Sequence, residues 1–219
     1  MDEQTDKRSQ LRVRNRTALV EAVLDCIAEL GIARTSVSEI IARAGLSRGM
    51  IHLHFDGKDK LIEAAAERAN EIYYGQLEAL LRHAGPSPQE TIDAIVRSDL
   101  GETVLNWRYV NIWYAFRGEA RERAAFKRYS DTRDARLRDL AYRAFVPMIR
   151  AEGIKAPRMV ARDATHGLIA MLEGMWTDYL LHPDAFDRDA ACRIVFRYVA
   201  ALLPRHFTAA GAVTGMGVR

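Results

Sequence analysis

Between Ser36 and Lys58 the chain gathers side chains suited to holding a polyanion rather than to making or breaking a bond. Arg48 carries a planar guanidinium able to give two parallel hydrogen bonds to a guanine edge. Gly49 has no side chain to keep a backbone away from a duplex, and Met50 offers an apolar tip for a thymine methyl. Ser47, His52, His54 and Lys58 suit phosphate oxygens, contacts that set register without reading bases, and Ser36 at the head of the stretch is grouped with them. Catalytic chemistry has little to stand on. There is no glycine-rich phosphate loop and no nucleophile motif. Asp163, His166 and Glu173 share a helix face but are too spread out to close on one metal ion, and His52 and His54, two apart on a helix, point in different directions. No catalytic residue, metal or cofactor is expected.

The elements that must hold these side chains are two short helices. Ser36 is a good N-cap, and Glu39 three residues on completes a capping box. Val37, Ile40, Ile41 and Ala44 recur at helical spacing, Gly45 can take the left-handed backbone that ends a helix, and Leu46 can pack back on the stripe. Ser47 is a second N-cap, so the chain re-enters a helix two residues later, which suits a helix-turn-helix. The second helix of that motif lies in the DNA major groove. The plainer alternative is two core helices joined by a polar turn.

A first helix is predicted from about Arg12 to Leu30 as the platform beneath this pair, with Lys7, Arg8, Arg12, Arg14 and Arg16 clustered where it begins, able to reach backbone phosphate or the minor groove, and with Lys7 and Arg8 reading equally as a solvated tail. Asp56-Gly57 reads as a turn into a connecting helix from Lys58 to about Arg82. Lys58 opposes the helix dipole there, a conflict that a DNA phosphate would relieve. Gly85 to Pro88 breaks the chain, and Ser87 to Glu90 is a second capping box. Helices follow to about Leu100, over Val104 to Arg117, and over Arg121 to Arg150 with a well-solvated charged face (Asp131, Arg133, Asp134, Arg136, Arg138, Asp139) and Pro147 inside. The last two are expected over 158–181, apolar on nearly all sides, and 187–207. Residues 211–219 are expected to lack order. The fold class is therefore all-α, about nine helices: a helix-turn-helix domain at 12–75 joined by the connecting helix to a helical ligand-binding and dimerisation domain at 85–207. The last two helices would pair with their copies as a four-helix bundle, and a homodimer would read a palindromic operator in double-stranded DNA.

Thr35-Ser36-Val37, Ile40, Ala44-Gly45-Leu46-Ser47, Gly49, Ile51, His54-Phe55, Lys58 and Leu61 resemble the N-terminal domain of the tetracycline-repressor (TetR) family of bacterial regulators. The resemblance implies that the second and third helices bind DNA and that a fourth links them to a helical ligand-binding domain. Where many members carry tyrosine after the apolar residue of the recognition helix, this chain has His52 and then Leu53. Residues 164–181, with the Trp107 to Phe116 stretch, resemble the betaine-synthesis regulator (BetI) branch, which implies a choline-type effector. Trp107, Trp113, Tyr114 and Trp176, with Tyr109 and Phe116, suit a cage around a quaternary ammonium, and Glu173 lies one turn before Trp176. The competing reading makes these aromatics ordinary core and pairs Glu173 with an arginine across the dimer interface.

Composition sets the outer limits. With 49% hydrophobic and 28% charged residues over 219 positions, the chain reads as a soluble globular protein, and no apolar run approaches the roughly 20 residues that span a bilayer. The first sixteen residues lack the apolar centre of a secretion signal, so a cytoplasmic location is expected. Cys26 and Cys192 each sit among apolar residues and read as core thiols. A net charge of +3 is too small for an obligate nucleic-acid coat protein. The rivals to a ligand-responsive regulator, most plainly a repressor, are a helical enzyme and a DNA-binding protein without sequence preference.

Overall fold

The computed structural model describes residues 3–83, 85, 87–119 and 124–213, without the side chains of 3–5 and 124–134. These residues form nine α-helices and one short hairpin. They divide into two compact units: residues 1–71 with 107–130, and residues 72–106 with 131–219.

In the first unit, α1 (Glu3–Leu30) is the platform. It starts about two turns earlier than the apolar pattern alone indicates. Glu, Gln, Lys, Arg and Leu are all good helix formers, Gln10 donates to Asp6 at 2.8 Å, and extending a helix already anchored by packing avoids the cost of nucleation. Leu19, Val23, Cys26 and Ile27 are fully buried beneath α2 (Val37–Ala44), α3 (Arg48–Phe55) and the start of α4 (Lys58–His83), which add Ile40, Ile51, Phe55, Leu61 and Ile62 to one continuous core. Burial raises the Cys26 thiol above its ordinary range, as a core thiol requires. Arg43 grips Glu29 with two hydrogen bonds of 2.6 and 2.5 Å, tying α2 to α1, and holds that carboxyl below the usual range.

Helix α6 (Trp107–Glu119) also belongs to this unit, although the sequence placed its stretch in the second domain. Ile112 and Phe116 enter the first core, and Arg108 bridges to α1, giving hydrogen bonds to Asp25 and Glu21 at 2.7 Å each. Its start is shifted from Val104 because residues 101–105 form a tight turn, with the N–H groups of Val104 and Leu105 both donating to the Gly101 carbonyl.

In the second unit, α5 (Pro88–Asp99) opens with the complete Ser87/Glu90 capping box and buries Ile92, Ile95 and Val96. Helix α7 (Ala124–Ala151) runs through Pro147. Within this unit Arg136 pairs with Glu78 and Arg143 with Asp139, as a solvated face should, while Asp131, Arg133 and Asp134 lie outside the described side chains. Helices α8 (Pro157–Leu181) and α9 (Arg188–Leu202) pack so closely that a Cβ at Gly167 would meet the Tyr198 hydroxyl at 2.0 Å.

The last helix ends at Leu202 rather than near Phe207, because Pro204 disfavours helical backbone at the residue before it. The chain then forms a hairpin, β1 (Phe207–Thr208) against β2 (Gly211–Ala212), where no order was expected at Gly211. Two α5 side chains clamp it: Asp93 accepts from the Ala212 N–H at 3.0 Å, and Arg97 donates to the Ala210 carbonyl at 2.8 Å. Gly211 has φ +125°, and a Cβ there would lie 2.3 Å from Asp93 Oδ1 and 2.7 Å from Arg97 Nη2. Gly211→Ala is therefore expected to cost about 1–3 kcal/mol, lowering the thermal midpoint and speeding hydrogen exchange at Ala212.

Candidate nucleic-acid interface

Helix α3 is only eight residues long and is held by Ile51 and Phe55, which are 2% and 8% exposed. Their burial turns Ser47, Arg48, Gly49, His52 and Leu53 to solvent. A Cβ at Gly49 would meet nothing within 4 Å, so packing within the chain does not demand glycine there. Met50 is partly drawn into the core, whereas Leu53 is 63% exposed, one turn on from Gly49. Leu53 entered the sequence reading only as a departure from the usual tyrosine. Its signal was an apolar residue off the Ile51/Phe55 stripe.

The cap residues behave differently from each other. Ser36 Oγ accepts from the Glu39 N–H at 3.1 Å, but the return bond of the expected capping box is not formed, and the hydroxyl proton remains able to donate outward. Ser47 has the extended backbone of an N-cap yet makes no side-chain cap bond, so the helix does not consume its hydroxyl. Gly45 takes φ +64° and Leu46 donates back to the Ile41 carbonyl at 3.2 Å, as the turn chemistry requires. Lys58 is the first residue of α4, where the helix dipole favours an anion. Its neighbour Lys60 is already paired with Glu63 at 2.9 Å.

His54 is the exception among the expected phosphate contacts. Its Nε2 is buried and has no partner among the described residues, which leaves Nδ1 as the one ring nitrogen that could face a ligand. Burial, with Arg12 and Arg16 nearby, pushes the imidazole below its ordinary pKa toward the neutral form. Arg16 itself lies over the Phe55 ring, 4.8 Å from its centroid.

The effector candidates fall in both units. In the first, Trp107 is 51% exposed, Trp113 lies beneath the Arg117 guanidinium at 5.5 Å, and Tyr114 is half-buried. In the second, Glu173 is half-buried and Trp176 is 4% exposed. The Trp176 indole N–H is given to Asp99, 3.1 Å from the carbonyl and 2.9 Å from the carboxylate, and the Tyr73 hydroxyl donates to the same carboxylate at 2.6 Å. Asp99 is 1% exposed and was not among the expected residues. It follows Ile92, Ile95 and Val96 on the buried stripe of α5, and a carboxylate on an apolar stripe was the available signal.

Two family models match the chain in succession. Residues 19–65 match the family described as "Bacterial regulatory proteins, tetR family", and residues 88–204 match "BetI-type transcriptional repressor, C-terminal". The chain is 30% identical over 193 residues to the HTH-type transcriptional regulator BetI 1 of Chromohalobacter salexigens, covering 87% of this chain and 91% of that one. It is 28% identical over 193 residues to BetI of Paraburkholderia phymatum, covering 88% and 95%. Among solved structures, a candidate transcriptional regulator from Pseudomonas aeruginosa PAO1 superposes with TM-score 0.75 at 25% identity, over 88% of this chain and 93% of that one. A candidate regulator from Saccharomonospora viridis, solved in complex with choline, shares the fold with TM-score 0.72 at 17% identity, over 84% and 94%.

The position of His54 carries a pH consequence. The unfolded chain takes up a proton at the ordinary value near 6.5, and the folded chain only at lower pH. The stability associated with this imidazole is thus fully present above about pH 6.5 and is lost as the pH falls through the lowered folded value. His54→Gln is expected to shrink the stability difference between about pH 7.5 and about pH 5, read by denaturant unfolding at both.

Proposed function

This chain belongs to the tetR family of bacterial regulatory proteins, with a BetI-type C-terminal domain, and from that premise we propose that it is a homodimeric repressor released from a palindromic operator by a small cationic effector. That it is a DNA-binding transcriptional regulator follows from the family itself. The direct readout rests above all on one observation: α3 buries Ile51 and Phe55 and leaves Arg48, Gly49, His52 and Leu53 on an open face. Arg48 reads a guanine edge, Gly49 permits close approach, and Leu53, more exposed than Met50, takes the thymine methyl. Ser36, Ser47, His52 and Lys58 anchor the backbone, with His54 contributing through Nδ1 at most. No helix among the described residues is long and apolar enough to cross a membrane; access to operator DNA would require a cytoplasmic location.

Dimerisation through the last two helices is supported by what they leave uncovered. Met159, Leu181 and Ile194 are 60%, 64% and 48% exposed, and α8 shows Ala170 and Gly174 on its open side. Small residues let a second helix approach closely, and covering the large apolar ones supplies the driving force. The effector reading draws on Asp99. A carboxylate buried with a tyrosine hydroxyl and an indole favours a nearby cation over a neutral molecule of the same shape, and the Saccharomonospora viridis protein holds choline. Glu173 and Trp176 on α8 remain the proposed acidic and aromatic lining in the second unit, while Trp107, Trp113 and Tyr114 on α6 are aromatic candidates within the first. Trp113 is the weaker of these, since the Arg117 guanidinium already lies over its ring. The effector would act by favouring one pose of α4, the helix that leads from the DNA-binding residues into the second unit. Lowering operator affinity by about 10² to 10³ needs roughly 3–4 kcal/mol of differential binding.

Two measurements test this. In competition binding to a duplex selected from a random library, Arg48→Ala is expected to relax base preference at one position per half-site by about 1–3 kcal/mol. Lys58→Ala should instead weaken all duplexes alike and lower the salt slope by about 1 per chain. Unchanged preference in Arg48→Ala would remove direct readout by this residue. In calorimetry, choline and betaine aldehyde are expected to bind and the neutral isostere 3,3-dimethylbutanol to bind at least tenfold more weakly, roughly the 1.4 kcal/mol that one cation–π contact is worth. Equal affinities would sink the cationic effector.

A further inference from the structure

Helix α1 does more than support the core. From Asp6 to Arg14 every residue is exposed, so about two and a half turns project beyond the packed part of the helix with no apolar face covered. Residues 7–16 hold five cations and no carboxylate, more positive charge than the +3 net of the whole chain. Their arrangement is regular. Arg8, Arg12 and Arg16 follow one another at four-residue spacing, and the same row continues into Val20, Leu24 and Ala28, all buried. The side of α1 that faces the core is therefore cationic where the core stops.

This row points toward the reading helix. Arg16 stacks over Phe55, the last residue of α3, and both Arg12 and Arg16 are close enough to His54 to act on its imidazole. Among the described residues, Arg8, Arg12 and Arg14 form no ion pair. Like charges four residues apart destabilise an exposed helix, and a helix of this length is marginal in water without packing. A neighbouring row of negative charge would remove both penalties.

We propose that the row Arg8–Arg12–Arg16 on the projecting end of α1 is a second DNA-contact surface, binding the phosphate backbone that flanks the base pairs read by α3. Cations spaced by roughly 6 Å along a helix can follow a run of phosphates, and such contacts add affinity and register without base preference. Leu11 and Val13, 56% and 63% exposed, sit on other sides of the helix and do not interrupt the row. The inference rests on the DNA-binding reading above and extends its footprint to the flanks of each half-site.

The test uses the full chain, a duplex recovered from a random library with the unaltered protein, and a scrambled duplex of the same composition, each titrated over a series of KCl concentrations. The double variant R8Q/R12Q is expected to flatten the plot of log affinity against log salt by roughly 2 per bound chain and to weaken binding at least tenfold at about 0.15 M KCl. The ratio of selected to scrambled affinity should not change. R8K/R12K, which keeps the charge, should retain the slope, and R150Q/K155Q, which removes the same charge from the second unit, should leave it unaltered. An unchanged slope in R8Q/R12Q while the unaltered protein still prefers the selected duplex overturns the inference and leaves the DNA-binding reading standing. Equal flattening by R150Q/K155Q also overturns it, because the effect would then be one of overall charge. If the unaltered protein prefers no duplex at low salt, sequence-specific DNA binding fails, and this surface fails with it.

Discussion

The placement of α3 depends on two side chains. An eight-residue helix has no independent stability in water, so this one exists because Ile51 and Phe55 are buried in the core it shares with α1 and α2. The base readout proposed for Arg48 would tolerate little displacement, and the helix that presents it is fixed through that core. The residues proposed to read and the residues that hold are interleaved within one octapeptide. On that proposal, the hydrophobic contacts beneath it, from Leu19 to Ile62, would serve recognition as well as stability. The Glu29–Arg43 pair and the Arg108 bridge to Asp25 and Glu21 act on the same platform from opposite neighbours, α2 and α6. Their partly exposed positions make them determinants of alignment more than of free energy.

The second unit shows a different economy. Its core accepts a carboxylate at Asp99 and answers it with a tyrosine hydroxyl and an indole N–H. A buried ionised group costs several kcal/mol if poorly compensated, and neutral donors recover part of that. The clamp of Asp93 and Arg97 on the terminal hairpin lies on the same helix, so α5 carries one charged cluster that closes the chain end and one acid that is buried.

Sequence alone showed the helix-turn-helix well because its determinants are local. A serine cap, a four-residue apolar stripe, a glycine with φ +64° and a second serine all act within a dozen residues. The same holds for the complete capping box at Ser87. What escaped was set by partners distant in sequence. Helix α6 joins the first unit because Arg108, Ile112 and Phe116 meet α1, some eighty residues away, and no periodicity within α6 states that destination. Gly211 looked like the start of a frayed end because its clamp lies on α5, more than a hundred residues earlier. Asp99 was passed over because a lone acid near a helix end resembles a solvated terminus until Tyr73 and Trp176 are seen around it. Leu53 was legible in principle, since it falls off the stripe that buries Ile51 and Phe55, but exposed apolar residues are too common to single out without a surface.

A regulator must bind tightly enough to exclude competitors and weakly enough to be released by a few kcal/mol of effector binding. Charge spread evenly over a strongly basic protein would fail the second requirement, because the salt-dependent part of affinity grows with every phosphate neutralised and is blind to sequence. This chain keeps its net charge at +3 and places five of its cations in residues 7–16, on the helix that packs against the proposed reading helix. The remaining residues carry 27 Lys and Arg against 29 Asp and Glu. Concentrating the charge ties the electrostatic contribution to the orientation of the reading helix, so that both can be lost together when that orientation changes. The loss of operator affinity is then bounded by the effector's differential affinity for the two poses.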